Sequence, residues 1–318
     1  VTNSGTVTNS GTIGFGGGSY TIHGAFNNEA GGFQEVLAGQ DLAQEDFVND
    51  GEVGALQDYR IDQSQGVFTK LGKILVKGKA ITKISERALR QKTGGTTWRH
   101  TGHLDMGEWV DESDSGVTIA NAGTLISRRQ TTITAAFENL KAGIADLTEV
   151  AFNNFRDRCR HLYNQGELIL RRIRSLGQER RDILNAEGAK FTLLDCGYRY
   201  EYDGKKIGGL DLGKIDNYGT IGFGSGDYYT QVFTNHKVEE VLPGYHVHSD
   251  DFINHGVTKV HTKHFLIDQT RGVFTKLGKI EAPHGGVRLL FSDKINAADY
   301  IQTLPLNEWQ LKDSLTIW

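Results

Sequence analysis

Short runs in which apolar and polar residues alternate follow one another along most of the chain, each closed by Gly, Asn or Asp. Tyr20–Ile22, Gly66–Thr69, Lys73–Val76, Ala80–Ile84, Val117–Ala120 and Thr124–Ser127 are of this kind, rich in β-branched and aromatic residues. The pattern predicts strands a few residues long. One phrase punctuates them: Asn9-Ser10-Gly11-Thr12-Ile13-Gly14-Phe15-Gly16 returns as Asn217-Tyr218-Gly219-Thr220-Ile221-Gly222-Phe223-Gly224, with looser Asn-x-Gly-x-apolar versions at Asn3, Asn49, Asn121 and Asn164.

The asparagines recur at nearly constant distance. Asn9, Asn28 and Asn49 are 19 and 21 residues apart, Asn217, Asn235 and Asn254 are 18 and 19 apart, Asn121 and Asn139 are 18 apart, and Asn164 and Asn185 are 21 apart. A beat of about 20 residues is the size of one supersecondary unit of a solenoid. Strands this short bury too little to offset the entropy of ordering them, so they need copies stacked above and below. A right-handed parallel β-helix supplies those copies. Asparagine at one corner then stacks on asparagine, amide to amide, and the glycine after it is expected to take the positive φ of the turn. Hairpins of an antiparallel sandwich are the competing reading of Asn-x-Gly, but hairpins return every 8–12 residues or so, about half the interval seen.

A longer repeat encloses the short one. Residues 8–76 and 216–282 align, most closely where Ile61–Ile74 returns as Ile267–Ile280 with two differences, and Glu35-Val36-Leu37 answers to Glu240-Val241-Leu242. The chain therefore divides into coils over 1–131, a segment 132–194, coils over 195–292, and a terminal cap or continuation over 293–318. Phe137, Leu140, Ile144, Leu147, Ala151, Phe155, Cys159 and Leu162 lie three or four apart, which is helical periodicity. Apolar-x-Asn phrases at Asn139, Asn154, Asn164 and Asn185 keep the solenoid theme through the same stretch. Two readings stand: continuous coils, or a helical insertion around 134–163. The 32 residues from Asn185 to Asn217 call for an insertion such as Tyr198–Lys206.

Composition narrows the class. With 38% hydrophobic and 23% charged residues the chain is globular, and 40 glycines beside only 3 prolines exclude collagen and proline-rich linkers. A formal charge of -4 and a pI near 6.3 leave no global footprint for nucleic acid. No apolar window reaches membrane-spanning length. Cys159 and Cys196 lack zinc or redox spacing and read as two buried thiols rather than a bridge. The start at Val1 and the absence of basic and apolar leader regions suggest an internal piece of a larger polypeptide.

Phe47-Val48-Asn49-Asp50-Gly51-Glu52-Val53, Ile119-Ala120-Asn121-Ala122-Gly123-Thr124-Leu125 and Asn217-Tyr218-Gly219-Thr220-Ile221 resemble the coil of filamentous-haemagglutinin-like proteins. These are the long right-handed β-helices of two-partner-secreted bacterial adhesins and of polymorphic or contact-dependent toxins. The resemblance covers about two thirds of the chain. Pro243, Pro283 and Pro305 follow Leu, Ala and Leu rather than the Asn of that family's secretion domain. The resemblance implies a shaft segment, secreted or held at the bacterial cell surface, that presents binding or payload regions located elsewhere. Its partners would be a host or neighbouring-cell receptor or glycan reached through the parent protein, and the remaining segments of the same polypeptide. It implies no nucleic acid, no membrane-spanning segment, no cofactor and no enzymatic activity.

Candidate chemistry is sparse. His246 and His248 would share a strand face, as metal ligands require, with Asp250, Asp251, His255, His261 and His264 nearby; the other long repeat carries Asp41 and Ala43 at the first two positions, so a polar coil face suffices. Asp250 with Asp251, or Glu45 with Asp46, would be the carboxylate pair of a sugar-cleaving β-helix, the alternative function together with direct glycan or receptor binding. Neighbours on a strand face opposite ways, which argues against either pair. Gly14–Ser19 resembles a phosphate loop but lacks the helix that must follow. The arginines Arg156, Arg158, Arg160, Arg171, Arg172, Arg174, Arg180 and Arg181 are interleaved with Asp157, Glu167, Glu179 and Asp182, a solvated mixed-charge face. No catalytic, cofactor-binding or metal residue is assigned.

Overall fold

The computed structural model describes residues 1–36, 40–63, 68–153, 161–173, 182–196, 200–202, 205–207, 210–242, 245–261, 264–269, 273–276, 279–281, 286–291 and 315–317, with the backbone alone in parts of these, including 40–46 and 245–251. They fold as a parallel β-solenoid. Two compact units, Val1–Cys159 and Arg160–Trp318, divide the chain within the segment 132–194.

The first unit shows how a coil is made. Thr97–His100 forms one side. After the corner, His103–Asp111 forms the other two, bending at Gly107, where an added Cβ would run into the Lys77 carbonyl oxygen of the coil before. The next coil repeats the plan with Thr118–Asn121 and Thr124–Ile133, and the next with Ala136–Asn139, Ile144–Thr148 and Val150–Phe152. Register is strict: Leu104 lies opposite Leu125, and Leu125 opposite Ala145. Running back, Leu104 continues through Ile74, Val53 and Gln34 to Ile13. Val53, Ile74, Leu104, Leu125 and Ala145 in that column are fully buried. A strand of four residues contributes only two inward side chains, yet each rests on its equivalent from the neighbouring coils. Burial of roughly 1.5–3 kcal/mol per large aliphatic side chain is thereby gained without the strand being long.

The second unit follows the same scheme. Leu168, Phe191, Ile221, Glu239, Thr258 and Ile280 form one inward column, and Leu170, Leu193, Phe223, Val241 and Val260 the next.

Between the two open readings of residues 134–163 the described part decides for coils. Ala136–Asn139, Ile144–Thr148 and Val150–Phe152 are strands, and so is His161–Asn164. The apparent helical spacing arose from mixing inward residues with outward ones. Phe137, Leu147 and Phe152 point in, while Ile144 is 45% exposed. The one helix among the described residues is Glu86–Thr93, where no helix was expected. It is well bounded: Ser85 Oγ accepts from the Ala88 N–H, Glu86 occupies the first turn, and Gly94 closes it at φ 74°. Within the expected insertion, Tyr200–Tyr202 and Lys205–Ile207 form an antiparallel hairpin.

Candidate functional site

The corner marked by asparagine is the most organised polar feature of the chain. Asn9, Asn28 and Asn49 occupy one register position on successive coils. His100, Asn121 and Asn139 do so further along the first unit, and Asn164, Asn185, Asn217, Asn235 and Asn254 in the second. All these asparagines are buried. Each side-chain amide donates to the next: Asn9 to Asn28 Oδ1 at 2.8 Å, Asn28 to Asn49 at 2.8 Å, Asn121 to Asn139 at 2.8 Å. In the second unit Asn164 donates to Asn185 at 2.8 Å, Asn185 to Asn217 at 2.7 Å, Asn217 to Asn235 at 2.7 Å and Asn235 to Asn254 at 2.9 Å.

The remaining capacity of each amide is used as well. The second N–H of Asn217 reaches the Val238 carbonyl at 2.8 Å and that of Asn185 the Thr220 carbonyl at 3.0 Å, both on the coil that follows. Oδ1 also accepts from the backbone N–H two residues on, Gly219 for Asn217 and Gly51 for Asn49. Two donors and two acceptors are thus satisfied inside the protein. Aspartate could not replace asparagine here, since it has no N–H and would line up charges one coil apart away from water.

The glycine of Asn-x-Gly serves a different need from the one expected. Gly51, Gly123, Gly219 and Gly256 are not among the residues of positive φ. An added Cβ on them would collide with a carbonyl oxygen of the preceding coil, that of Gly32, Gly102, Ala189 and Lys237 respectively. Close stacking, rather than turn handedness, excludes a side chain.

The ladder has interruptions. After Asn49 the next coil brings a backbone carbonyl instead of an amide, and Asn49 Nδ2 donates to the Leu71 oxygen at 2.6 Å. One coil on, His100 fills the corner, 1% exposed, with Nε2 3.2 Å from the Thr124 oxygen. Burial pulls its pKa down to about 4, so it is a neutral imidazole donating from Nε2. Near this break a second buried polar cluster ties coils together. Asp111 accepts from Thr82 Oγ1 at 3.2 Å, from Ser113 Oγ, and from the Thr134 and Ala135 N–H groups at 3.0 and 2.7 Å. Trp109 Nε1 donates to Thr82 at 3.0 Å. No sequence motif announces Asp111; its role emerges only when three coils are stacked.

At the outer side of the asparagine corner in the second unit, the residues following Asn217, Asn235 and Asn254 form a stack. Tyr218 lies on His236 with ring centroids 4.2 Å apart and planes 5° from parallel, and His236 on His255 at 5.5 Å and 9°. Tyr218 is 43% exposed. The sequence pattern set His255 close behind the cluster at His246, His248, Asp250 and Asp251 and did not place it beside His236.

The other sequence candidates divide. His246, His248, Asp250, Asp251, Glu45 and Asp46 lie on described strands, with His246 opposite Asp227 and Asp46 opposite Ala25 in register, but their side chains are outside the described residues. Gly14–Ser19 is a corner: Thr12–Phe15 runs in, Gly18–Asn28 runs out, Gly17 has φ 50°, and no helix follows. Arg171 and Arg172 are described, Arg156, Arg158, Arg160, Arg174, Arg180 and Arg181 are not, and Cys159 is likewise outside. Cys196 is a buried free thiol, pushed up to about 11 by burial, which denies it thiolate reactivity at neutral pH. Among the described residues no group of three or more His, Cys, Asp or Glu converges on a metal position, and no helix is long and apolar enough to cross a membrane.

No protein-family profile, no curated protein and no solved structure matches the chain.

Proposed function

We propose that this chain is a shaft segment of a large secreted bacterial adhesin or toxin-delivery protein of the filamentous-haemagglutinin-like kind, acting mechanically and presenting binding or payload regions located elsewhere. The observation that supports this reading is the asparagine corner. Its amides are spent on their neighbours one coil away, as in Asn217, whose donors go to Asn235 and Val238 and whose oxygen takes the Gly219 N–H. Polar groups so engaged transmit load between coils and have no capacity left for a substrate. Such coils can fold one on another after export, each templated by the last. Localisation at the cell surface or in the secreted fraction follows from the same reading, as does contact with receptors only through the parent protein.

The purified chain tests it. It should leave anionic polysaccharides undegraded and fail to bind cells or a glycan array. Depolymerisation that disappears on mutating Asp250 or Asp251 would replace the reading with an enzyme, and saturable glycan binding would replace it with a recognition module.

A further inference from the structure

We propose that the hairpin of Tyr200–Tyr202 and Lys205–Ile207 joins one copy of this chain to another, the second strand of one copy pairing edge to edge with the first strand of the next. The hairpin is additional to the solenoid. Cys196 lies opposite Gly226 and Leu210 opposite Tyr228, so 14 residue steps here answer to 2 on the coil that follows. The coils therefore keep their register without it. Its two strands pair antiparallel with each other and, among the described residues, with no strand of the coils.

A two-stranded ribbon by itself is only marginally stable in water. Each of its strands also leaves one row of backbone N–H and C=O groups unpaired, a template for a strand from another chain. Charge selects that strand. Tyr200-Glu201-Tyr202 carries one negative charge and Lys205-Lys206-Ile207 carries two positive ones. Bringing like edges together sets Glu201 against Glu201, or lysine against lysine, and directly opposed like charges destabilise a strand pair.

Unlike edges avoid this. Within the hairpin Tyr200 lies opposite Ile207, Glu201 opposite Lys206 and Tyr202 opposite Lys205. Continued across two copies in the same register, that pattern places Glu201 of one copy opposite Lys206 of the next, and the strands still alternate in direction. Position 206 then stands between two acidic positions, one from its own chain and one from its neighbour. The contact is heterologous, because different edges meet, so each copy retains an edge for a further one. The proposal does not depend on the shaft reading.

Sedimentation velocity of the purified chain over a range of concentrations tests it. The parent should associate reversibly into species larger than the monomer. Glu201→Lys and Lys206→Glu should each weaken that association at least about threefold, with the far-ultraviolet circular dichroism of the parent. Mixed in equal amounts, the two variants should associate again. Every contact between unlike copies then opposes unlike charges at positions 201 and 206, whereas within each chain those two positions remain alike. A role confined to holding the hairpin together predicts no such recovery. A parent that stays monomeric, single variants that associate as the parent does, or a mixture no more associated than its components would each overturn the proposal.

Discussion

The two long repeats, residues 8–76 and 216–282, share blocks of sequence, differ between those blocks, and reach the same interior. In the first, Phe26 stacks on Phe47 at 5.7 Å, and Phe15 meets Tyr20 edge-on at 5.2 Å. In the second, Phe233 stacks on Phe252 at 5.4 Å, and Phe223 meets Tyr228 edge-on at 5.2 Å. The tyrosine hydroxyl donates to a glycine carbonyl four residues back in both, Gly16 and Gly224, at 2.8 Å. Even the end of the asparagine run coincides: after Asn49 and after Asn254 the next coil brings Lys70 and Lys276 near the corner in place of a further asparagine. Among the differences are one inward column and the outer corner. Gln34 and Val53 of the first repeat become Glu239 and Thr258 in the second, and Ser10, Glu29 and Asp50 become Tyr218, His236 and His255. The ladder and the aromatic core are therefore what the coil requires, and the corner exterior is where it is free to vary.

The largest effect should come from breaking the shared part. Asn28→Asp and Asn235→Asp each put a carboxylate into a buried chain of amides and remove a donor. Each should cost on the order of 3–5 kcal/mol, read as a fall in the urea midpoint, and the two should match; a harmless Asn235→Asp would show that the second repeat does not rest on its ladder.

A comparable change can be made with pH at the corner that departs from both repeats. His100 is held at a pKa of about 4 against an ordinary value near 6.5. A depressed histidine binds its proton more readily unfolded. Its contribution is complete above about pH 6.5 and is lost as pH falls toward 4, at roughly 1.4 kcal/mol per pH unit. Urea midpoints measured across that range should show this slope in the parent, while His100→Asn, which supplies an amide facing Asn121, should flatten it.

Next come the glycines. Gly51→Ala and Gly219→Ala drive a methyl group into the Gly32 and Ala189 carbonyls and should destabilise by about 1–3 kcal/mol each, measurable by the same titration. Had the glycines been needed for positive φ, Asn would be tolerated in their place; here Gly219→Asn should be at least as damaging as Gly219→Ala.

The smallest change sharpens the difference between the repeats. Thr258 Oγ1 donates to Glu239 Oε2 at 2.7 Å and accepts from Asn254 Nδ2 at 3.2 Å, a buried relay absent from the first repeat. Thr258→Val should cost about 1–2 kcal/mol. Adding Glu239→Gln, which restores the pair found at Gln34 and Val53, should recover most of it in a double-mutant cycle; additive losses would mean the two positions are independent.

Much of the fold was legible because its strongest constraint is periodic. A corner that must hide an amide with all four hydrogen-bonding positions engaged accepts almost only asparagine, so Asn9, Asn28, Asn49, Asn121 and Asn217 advertise the coil. Where the constraint is a distance rather than a residue type, the reading went astray. Glycine at Gly51 and Gly219 is demanded by a carbonyl on another coil, which local turn chemistry does not reveal. Residues 137–152 looked helical because strand and corner steps together mimic a spacing of three to four. The helix Glu86–Thr93 was missed although Ser85 and Gly94 bracket it, since its eight residues interrupt a strand pattern that resumes at Thr97. Asp111 and the Tyr218–His236–His255 stack gave no signal because their partners are roughly a coil away in sequence.

The ladder itself is best tested by nuclear magnetic resonance of the asparagine side-chain amides. The Nδ2 protons of Asn28, Asn121, Asn217 and Asn235 should exchange with solvent as slowly as core backbone amides. Each should show cross-relaxation to the asparagine 18 to 21 residues further on. Rapid exchange like that of a free asparagine, with no contact to that next asparagine, would contradict the account.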